Sequence, residues 1–379
     1  MPAQNIQIPA VLDAARRAHF GMTDILRRLQ GDAAAAFGLG PSEIPYQSIA
    51  SGPHWRLRDY GAGDRKASAS LLIVAAPIKR PYIWDLAPSV SAIRYCLGQD
   101  LHVYLLEWLP ATRLTSNNGI DECAVAISEC VAKISANTED LKPFVIGHSL
   151  GGTLAAIYSA WASETIRGLV LLGAPLCFQP EQSQFRDALV SVVPSDLPDE
   201  NPFPGSLLSH MSAMASPNTF IWSRFMDAAL SITDPHSIEI HARVERWALD
   251  EVPLPGKLVH QIIDWLYREN RLCRGVLEVK ESQVSPARVS VPTLAVVNMA
   301  DEIAPLASVK PFVDAIPTKP TRIIEYPGEV GVALQHLGIL VGRQAYVRVW
   351  PEIISWLNLH SESNRASPTR SSRKPAASS

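Results

Sequence analysis

Hydrophobic and polar positions change rhythm several times along the chain, and the changes divide it. Over residues 10–36 (AVLDAARRAHFGMTDILRRLQGDAAAA) apolar side chains recur at helical spacing between Arg16, Arg17, Arg27 and Arg28, which predicts one amphipathic helix or two. Such a helix is expected to lie on the main domain, with docking on a partner or particle surface as the alternative. From residue 55 short apolar runs alternate with helical stretches, the signal for βαβ units and a mostly parallel sheet. Strands are expected at 55–60, 71–76, 101–108, 143–148, 168–174, 292–298 and 321–326. Runs such as LLIVAA, FVIG and LVLLGA are apolar without interruption, as strands covered on both faces should be.

Between residues 178 and 291 the strand rhythm stops. Segments such as FIWSRFMDAAL and VHQIIDWLYREN read as helices, and an insertion of this length is too long for a plain loop. A helical lid over the site is expected there. The tail is polar and Ser-rich, with little to bury, and is expected to be disordered. The expected organisation is thus an N-terminal helical region (1–50), the first part of an α/β core (51–177), a helical lid insertion (178–291), the second part of the core (292–358) and the tail (359–379).

Composition narrows the classes. With 379 residues, 47% of them apolar and 19% charged, the chain can bury a sizeable core. A net charge of −3 without runs of like charge gives no footprint for nucleic acid. No window is apolar enough for a transmembrane segment, and the first residues lack a signal-peptide pattern, so a cytoplasmic location is expected. The five cysteines (Cys96, Cys123, Cys130, Cys177, Cys273) are odd in number and never spaced CxxC. They are expected to be reduced, mostly buried thiols, with Cys123 and Cys130 on one helix face.

The strongest chemical signal is Gly147-His148-Ser149-Leu150-Gly151, followed by Gly152, after the apolar run PFVI and before the helical run TLAAIYSAWA. This is GxSxG in the strand–turn–helix context of the nucleophile elbow of α/β-hydrolases. A serine hydroxyl needs a base, and the base needs an acid to fix its tautomer. In that fold the order along the chain is serine, acid, histidine. Asp301 follows the strand PTLAVVN directly and is the expected acid, with Glu302 as fallback. Only His336 and His360 come later, and His336, before a terminal helix, is the expected base. His148 is expected to point elsewhere from the elbow. The oxyanion hole is expected from the backbone N–H groups of Leu150 and Ile78, with Lys79 as alternate to Ile78. No GxxxxGK[ST], HExxH or early GxGxxG is present, so no metal site is predicted, and acyl transfer of this kind needs no cofactor.

Several stretches together resemble the polyhydroxyalkanoate synthase family within the α/β-hydrolases, particularly its short subunits. These are WRLRDY (55–60), LLIVAAPIKRPYIWDLAP (71–88), LHVYLLEW (101–108), the elbow with GGTLA, VERWALDEVPLPG (244–256), LYRENRL (266–272) and HLGILVG (336–342). The resemblance covers about residues 50–357 and implies a hydroxyacyl ester or acyl-CoA thioester substrate, with the nucleophile, acid and histidine falling on Ser149, Asp301 and His336. It also brings in a polyester granule, a second synthase-type subunit or a homo-oligomer as partners. Polymerising members of that family carry cysteine where this chain has Ser149. Exchange between thiol sites is nearly isoenergetic, whereas a serine ester is more stable, which favours hydrolysis or slow transfer over rapid elongation. Glu107, Leu109 and Gln335 also depart from the family pattern, which tends to Asp, Gly and Gly there. The expected activity is a synthase-like serine acyltransferase or hydrolase, with a general carboxylesterase, lipase or polyester depolymerase as alternative and an idle granule-associated protein behind both.

Overall fold

The structure, a computed structural model, describes residues 8–61, 69–138, 141–194, 201–317 and 320–362. Its centre is an eight-stranded sheet. The strands are β1 (Gln47–Ser51), β2 (Trp55–Asp59), β3 (Ala69–Val74), β4 (Leu101–Trp108), β5 (Phe144–His148), β6 (Gly168–Leu172), β7 (Thr293–Asn298) and β8 (Thr321–Tyr326). They lie side by side in the order β1-β2-β4-β3-β5-β6-β7-β8. The first two pairings, β1 with β2 and β2 with β4, are antiparallel, and the rest are parallel.

Burial follows the period of the strand. Leu72, Val74, Val145 and Leu171 face one apolar cluster, while Leu71, Ile73, Ile146 and Leu172 face another on the opposite side of the sheet. Each such side chain taken out of water contributes roughly 1.5–3 kcal/mol. Helices cover both faces. The helix Ile120–Asn137 has Glu122 accepting the Gly119 N–H at 2.6 Å, and it turns Ile120, Cys123, Ile127, Cys130 and Ile134 inward at helical spacing. β1 had no sequence signal because it is a mostly exposed edge strand with few apolar residues to betray it.

The N-terminal amphipathic stretch forms one helix, α1 (Ile8–Ala34). It packs on the insertion rather than on the core: Asp24 accepts the Ser206 N–H at 2.8 Å, and Arg27 donates to the Ala248 carbonyl at 2.9 Å. Residues 178–291 carry helices, among them α2 (Gly205–Ala215), α3 (Ser223–Ser231) and α4 (Pro235–Ala248). They end in a small hairpin, Leu277–Val279 with Ser282–Val284, whose Leu277, Val279 and Val284 are fully buried in the core. That last part therefore belongs to the core's packing, a point hidden by strands of three residues each. The final helix, α5 (Trp350–Glu362), takes in the first residues of the expected disordered tail, and the remainder of that expectation lies outside the described residues.

The expectation of five reduced cysteines is corrected. Cys177 and Cys273 form a disulfide with a Cα–Cα distance of 5.5 Å, across 96 residues of sequence. The insertion leaves the core at Cys177 and returns beside it, a closure that spacing cannot signal. Cys96, Cys123 and Cys130 are free and buried, and burial pushes the Cys96 thiol up to about 12.

Candidate active site

Ser149 occupies the turn between β5 and the helix Leu150–Trp161, with φ 56° and ψ −134°. A residue with a Cβ adopts such a backbone only at a cost of about 1–3 kcal/mol, so the surroundings must enforce it. They do so by contact. A Cβ on Gly147 would lie 2.6 Å from the Gly151 carbonyl carbon, and one on Gly151 2.2 Å from the Val74 carbonyl oxygen. The Ser149 N–H donates to the Leu172 carbonyl at 3.0 Å, which seats the turn on β6.

Asp301 and His336 come together from loops after β7 and β8. His336 Nδ1 is 2.7 Å from Asp301 Oδ2, both residues are buried, and Asp301 Oδ1 accepts the Ile303 N–H at 2.8 Å. A carboxylate at that distance holds the hydrogen on Nδ1 and leaves Nε2 as the basic atom. Nε2 is buried with no hydrogen-bond partner among the described residues, and His336 and Ser149 line the same cavity. Serine–histidine contacts often tighten only when substrate arrives. The fallback acid Glu302 is engaged elsewhere, by the hydroxyls of Thr219 and Ser216. His360 is likewise removed, its Nδ1 donating to the Trp356 carbonyl on α5 at 2.8 Å.

Leu150 starts its helix at the elbow, and Ile78 and Lys79 lie on the loop after β3; all three line the cavity. Lys79 also forms a backbone bridge with Glu251, while its ammonium, 2.7 Å from that carboxylate, donates to the Ala248 carbonyl at 2.6 Å. Burial lowers the Lys79 pKa, with Glu251 acting against it. The cavity measures about 490 Å³. Its walls come from three regions: Ile78 and Leu150 of the core, Phe185, Phe220 and Ile262 of the insertion, and Phe20 and Arg27 of α1.

Three residues that the sequence reading missed hold the histidine loop. His148, expected to point elsewhere, is fully buried with its ring centroid 4.7 Å from that of His336, and its Nε2 donates to the His336 carbonyl at 2.8 Å. Burial first, and the neighbouring His336 second, lower its pKa to about 3. Asn298 Nδ2 donates to the Gln335 carbonyl at 2.7 Å. Asp227, from the insertion, accepts the N–H groups of Gly331 and Ala333 at 2.8 Å each. Only the first two sat beside residues already singled out. The departures noted in sequence also find structural partners: Glu107 is buried against Arg56 and Arg58, and the Gln335 side chain donates to the Glu329 carbonyl.

A family model described as alpha/beta hydrolase fold matches residues 109–327, more than half of the chain. The poly(3-hydroxyalkanoate) polymerase subunit PhaC of Haloferax mediterranei is 26% identical over 336 residues, 86% of this chain and 65% of that protein. That of Haloarcula marismortui is 26% identical over 77% of this chain and 61% of its own length, so the chain spans just under two thirds of these two relatives. The PhaC subunit of Allochromatium vinosum is 26% identical over 92% of this chain and 96% of its own. A soluble variant of monoglyceride lipase from Saccharomyces cerevisiae superposes with TM-score 0.53 at 13% identity, over 84% of this chain and 95% of that one.

Proposed function

The chain belongs to the alpha/beta hydrolase family, and from that membership we propose that it is an acyl-transferring enzyme of the ester and thioester class, with Ser149 as nucleophile, His336 as base and Asp301 as its partner. The observation that carries this reading is the short His336–Asp301 hydrogen bond facing the cavity of Ser149. Ser149 Oγ attacks the acyl carbonyl while its proton passes to His336 Nε2. The backbone N–H groups of Leu150 and Ile78 receive the developing oxyanion. Collapse of the tetrahedral intermediate expels the thiol or alcohol, which takes the proton back from His336 and leaves the acyl group on Ser149. Water or a second hydroxyl then repeats the sequence and frees the enzyme.

Similarity to the polymerase subunits supports a hydroxyacyl thioester or polyester as substrate, and the largely apolar cavity walls suit an acyl chain. Ser149 favours hydrolysis or slow transfer over rapid elongation, because a serine ester has no thioester-like energy to hand on. This makes an ester hydrolase acting on polyester or simple esters the second reading. The insertion serves as a lid. Its exposed Trp222 and Phe225 offer an apolar face for a polyester surface. No helix among the described residues is long and apolar enough to cross a membrane. An acyl-CoA donor would place the enzyme in the cytoplasm, although the Cys177–Cys273 disulfide pulls toward an oxidising compartment.

The test is incubation with 3-hydroxybutyryl-CoA beside the Ser149→Ala variant, following the acyl group by mass spectrometry. Free hydroxy acid that depends on Ser149 is the expected product. Serine-dependent ester-linked oligomers would restore elongation, and an untouched thioester would remove this substrate class in favour of simple esters.

A further inference from the structure

The loop before His336 is held from two sides. On the core side, Asn298 and His148 grip the carbonyls of Gln335 and His336. On the insertion side, the Asp227 carboxylate of α3 receives three donors, the N–H groups of Gly331 and Ala333 at 2.8 Å and His241 Nδ1 of α4 at 2.9 Å. Burial would raise the Asp227 pKa, but these donors outweigh it and hold the carboxyl below its ordinary range. The gripped segment has an unusual backbone, with φ +92° at Gly331 and +61° at Ala333. A Cβ on Gly331 would fall 2.8 Å from the Ser237 Cβ of α4, so that helix approaches the loop as closely as a glycine permits. A left-handed alanine is strained and persists only while its surroundings impose it.

The helix that carries Asp227 continues from Phe220 and Ile221, which line the cavity. An acyl chain pressing on those side chains acts on the element that grips residues 331 and 333, five and three residues before His336. We propose that Asp227 is a positioning residue that couples the insertion to His336, so that filling the acyl cavity sets the imidazole against Ser149. The proposal rests on the triad reading. Asp227 touches no substrate; it works through the loop.

The experiment uses the full chain and the isosteric Asp227→Asn substitution, which keeps the packing but turns an N–H toward a backbone N–H. Expected with a p-nitrophenyl acyl ester is a fall in kcat of at least tenfold with KM within threefold of wild type. The low-field proton resonance of His336 Nδ1–H, identified by its loss in His336→Asn, should shift when a long-chain acyl inhibitor binds wild type and fail to shift in Asp227→Asn. A kcat within tenfold together with a wild-type resonance response overturns the proposal. Should the variant lose cooperative unfolding, His241→Leu leaves the carboxylate in place and removes one donor. A fall of threefold or more in kcat is then expected, and no fall overturns the proposal. Ser149→Ala run in parallel separates the failures: if it retains activity within tenfold, the triad reading falls and the coupling with it, whereas an inactive Ser149→Ala beside an unaffected Asp227→Asn rejects the coupling alone.

Discussion

The core and the insertion place their functional atoms by different means. In the core, Ser149 is fixed by backbone alone, through glycines at 147 and 151 that admit no Cβ and a turn hydrogen-bonded to β6. In the insertion, position depends on side chains reaching across the chain. Arg186 donates to the Tyr267 carbonyl at 2.8 Å, Asp227 accepts from residues 331 and 333, and Glu251 pairs with Arg27 at 3.1 Å and Lys79 at 2.7 Å. Backbone placement is local and rigid, while clasps of this kind can be lost one at a time. If Ser149 is the nucleophile as proposed, substitutions in the core should abolish turnover, and substitutions in the insertion should loosen the walls of the cavity.

The largest effects should fall in the core. Ser149→Ala is expected to lower turnover roughly a millionfold, because members of such a triad act as a unit. Asp301→Asn, which leaves the shape intact but presents the wrong partner to His336 Nδ1, should cost about ten thousandfold in kcat. Steady-state kinetics on both variants check this, and either one staying within tenfold of wild type would reject the residue's assigned role.

Next comes the tie between the two regions. Cys273→Ser opens a loop of 96 residues and should lower the unfolding free energy by about 3–4 kcal/mol in urea titrations. An unchanged midpoint would mean that the insertion is held to the core by its other contacts.

The core also carries a pH dependence, through the buried imidazole behind the histidine loop. His148 stays neutral in the fold, with its pKa lowered from 6.5 to about 3. The unfolded chain takes up a proton below about pH 6.5 and the folded chain does not until about 3, so the contribution is complete above 6.5 and is lost on acidification, by up to about 1.4 kcal/mol per pH unit. Thermal unfolding of His148→Phe between pH 6.5 and 4 should show a flatter decline than wild type, and parallel curves would remove His148 from the account.

The smallest effect belongs to the insertion's surface. Arg271→Ala breaks the exposed pair with Glu269 and should change stability by less than about 1 kcal/mol. A larger loss in chemical denaturation would show that single surface pairs carry more of the insertion than its buried clasps do.

This division also explains what the sequence made legible. The parallel strands announce themselves as apolar runs, and the elbow is a local pattern whose glycines answer to contacts within a few residues or with the adjacent strand. The pairing of Asp301 with His336 is reachable from chain order, because an α/β-hydrolase fold puts an acid and then a histidine on loops after its late strands. By contrast, Asp227 meets its amide partners across 104 and 106 residues, and Cys177 meets Cys273 across 96, with no local signature in either case. His148 was visible in the motif, but its partner is a main-chain carbonyl 188 residues away. β1 was lost for the opposite reason, since an exposed edge of five residues needs no apolar run.

Covalent labelling of the folded protein with a fluorophosphonate, followed by peptide mapping, tests Ser149 as nucleophile without any assumption about the substrate. The expected outcome is a single adduct on the peptide bearing Ser149, absent in Asp301→Asn over the same reaction time and in Ser149→Ala at any time. Labelling of another residue, or equal labelling without Asp301, would contradict it.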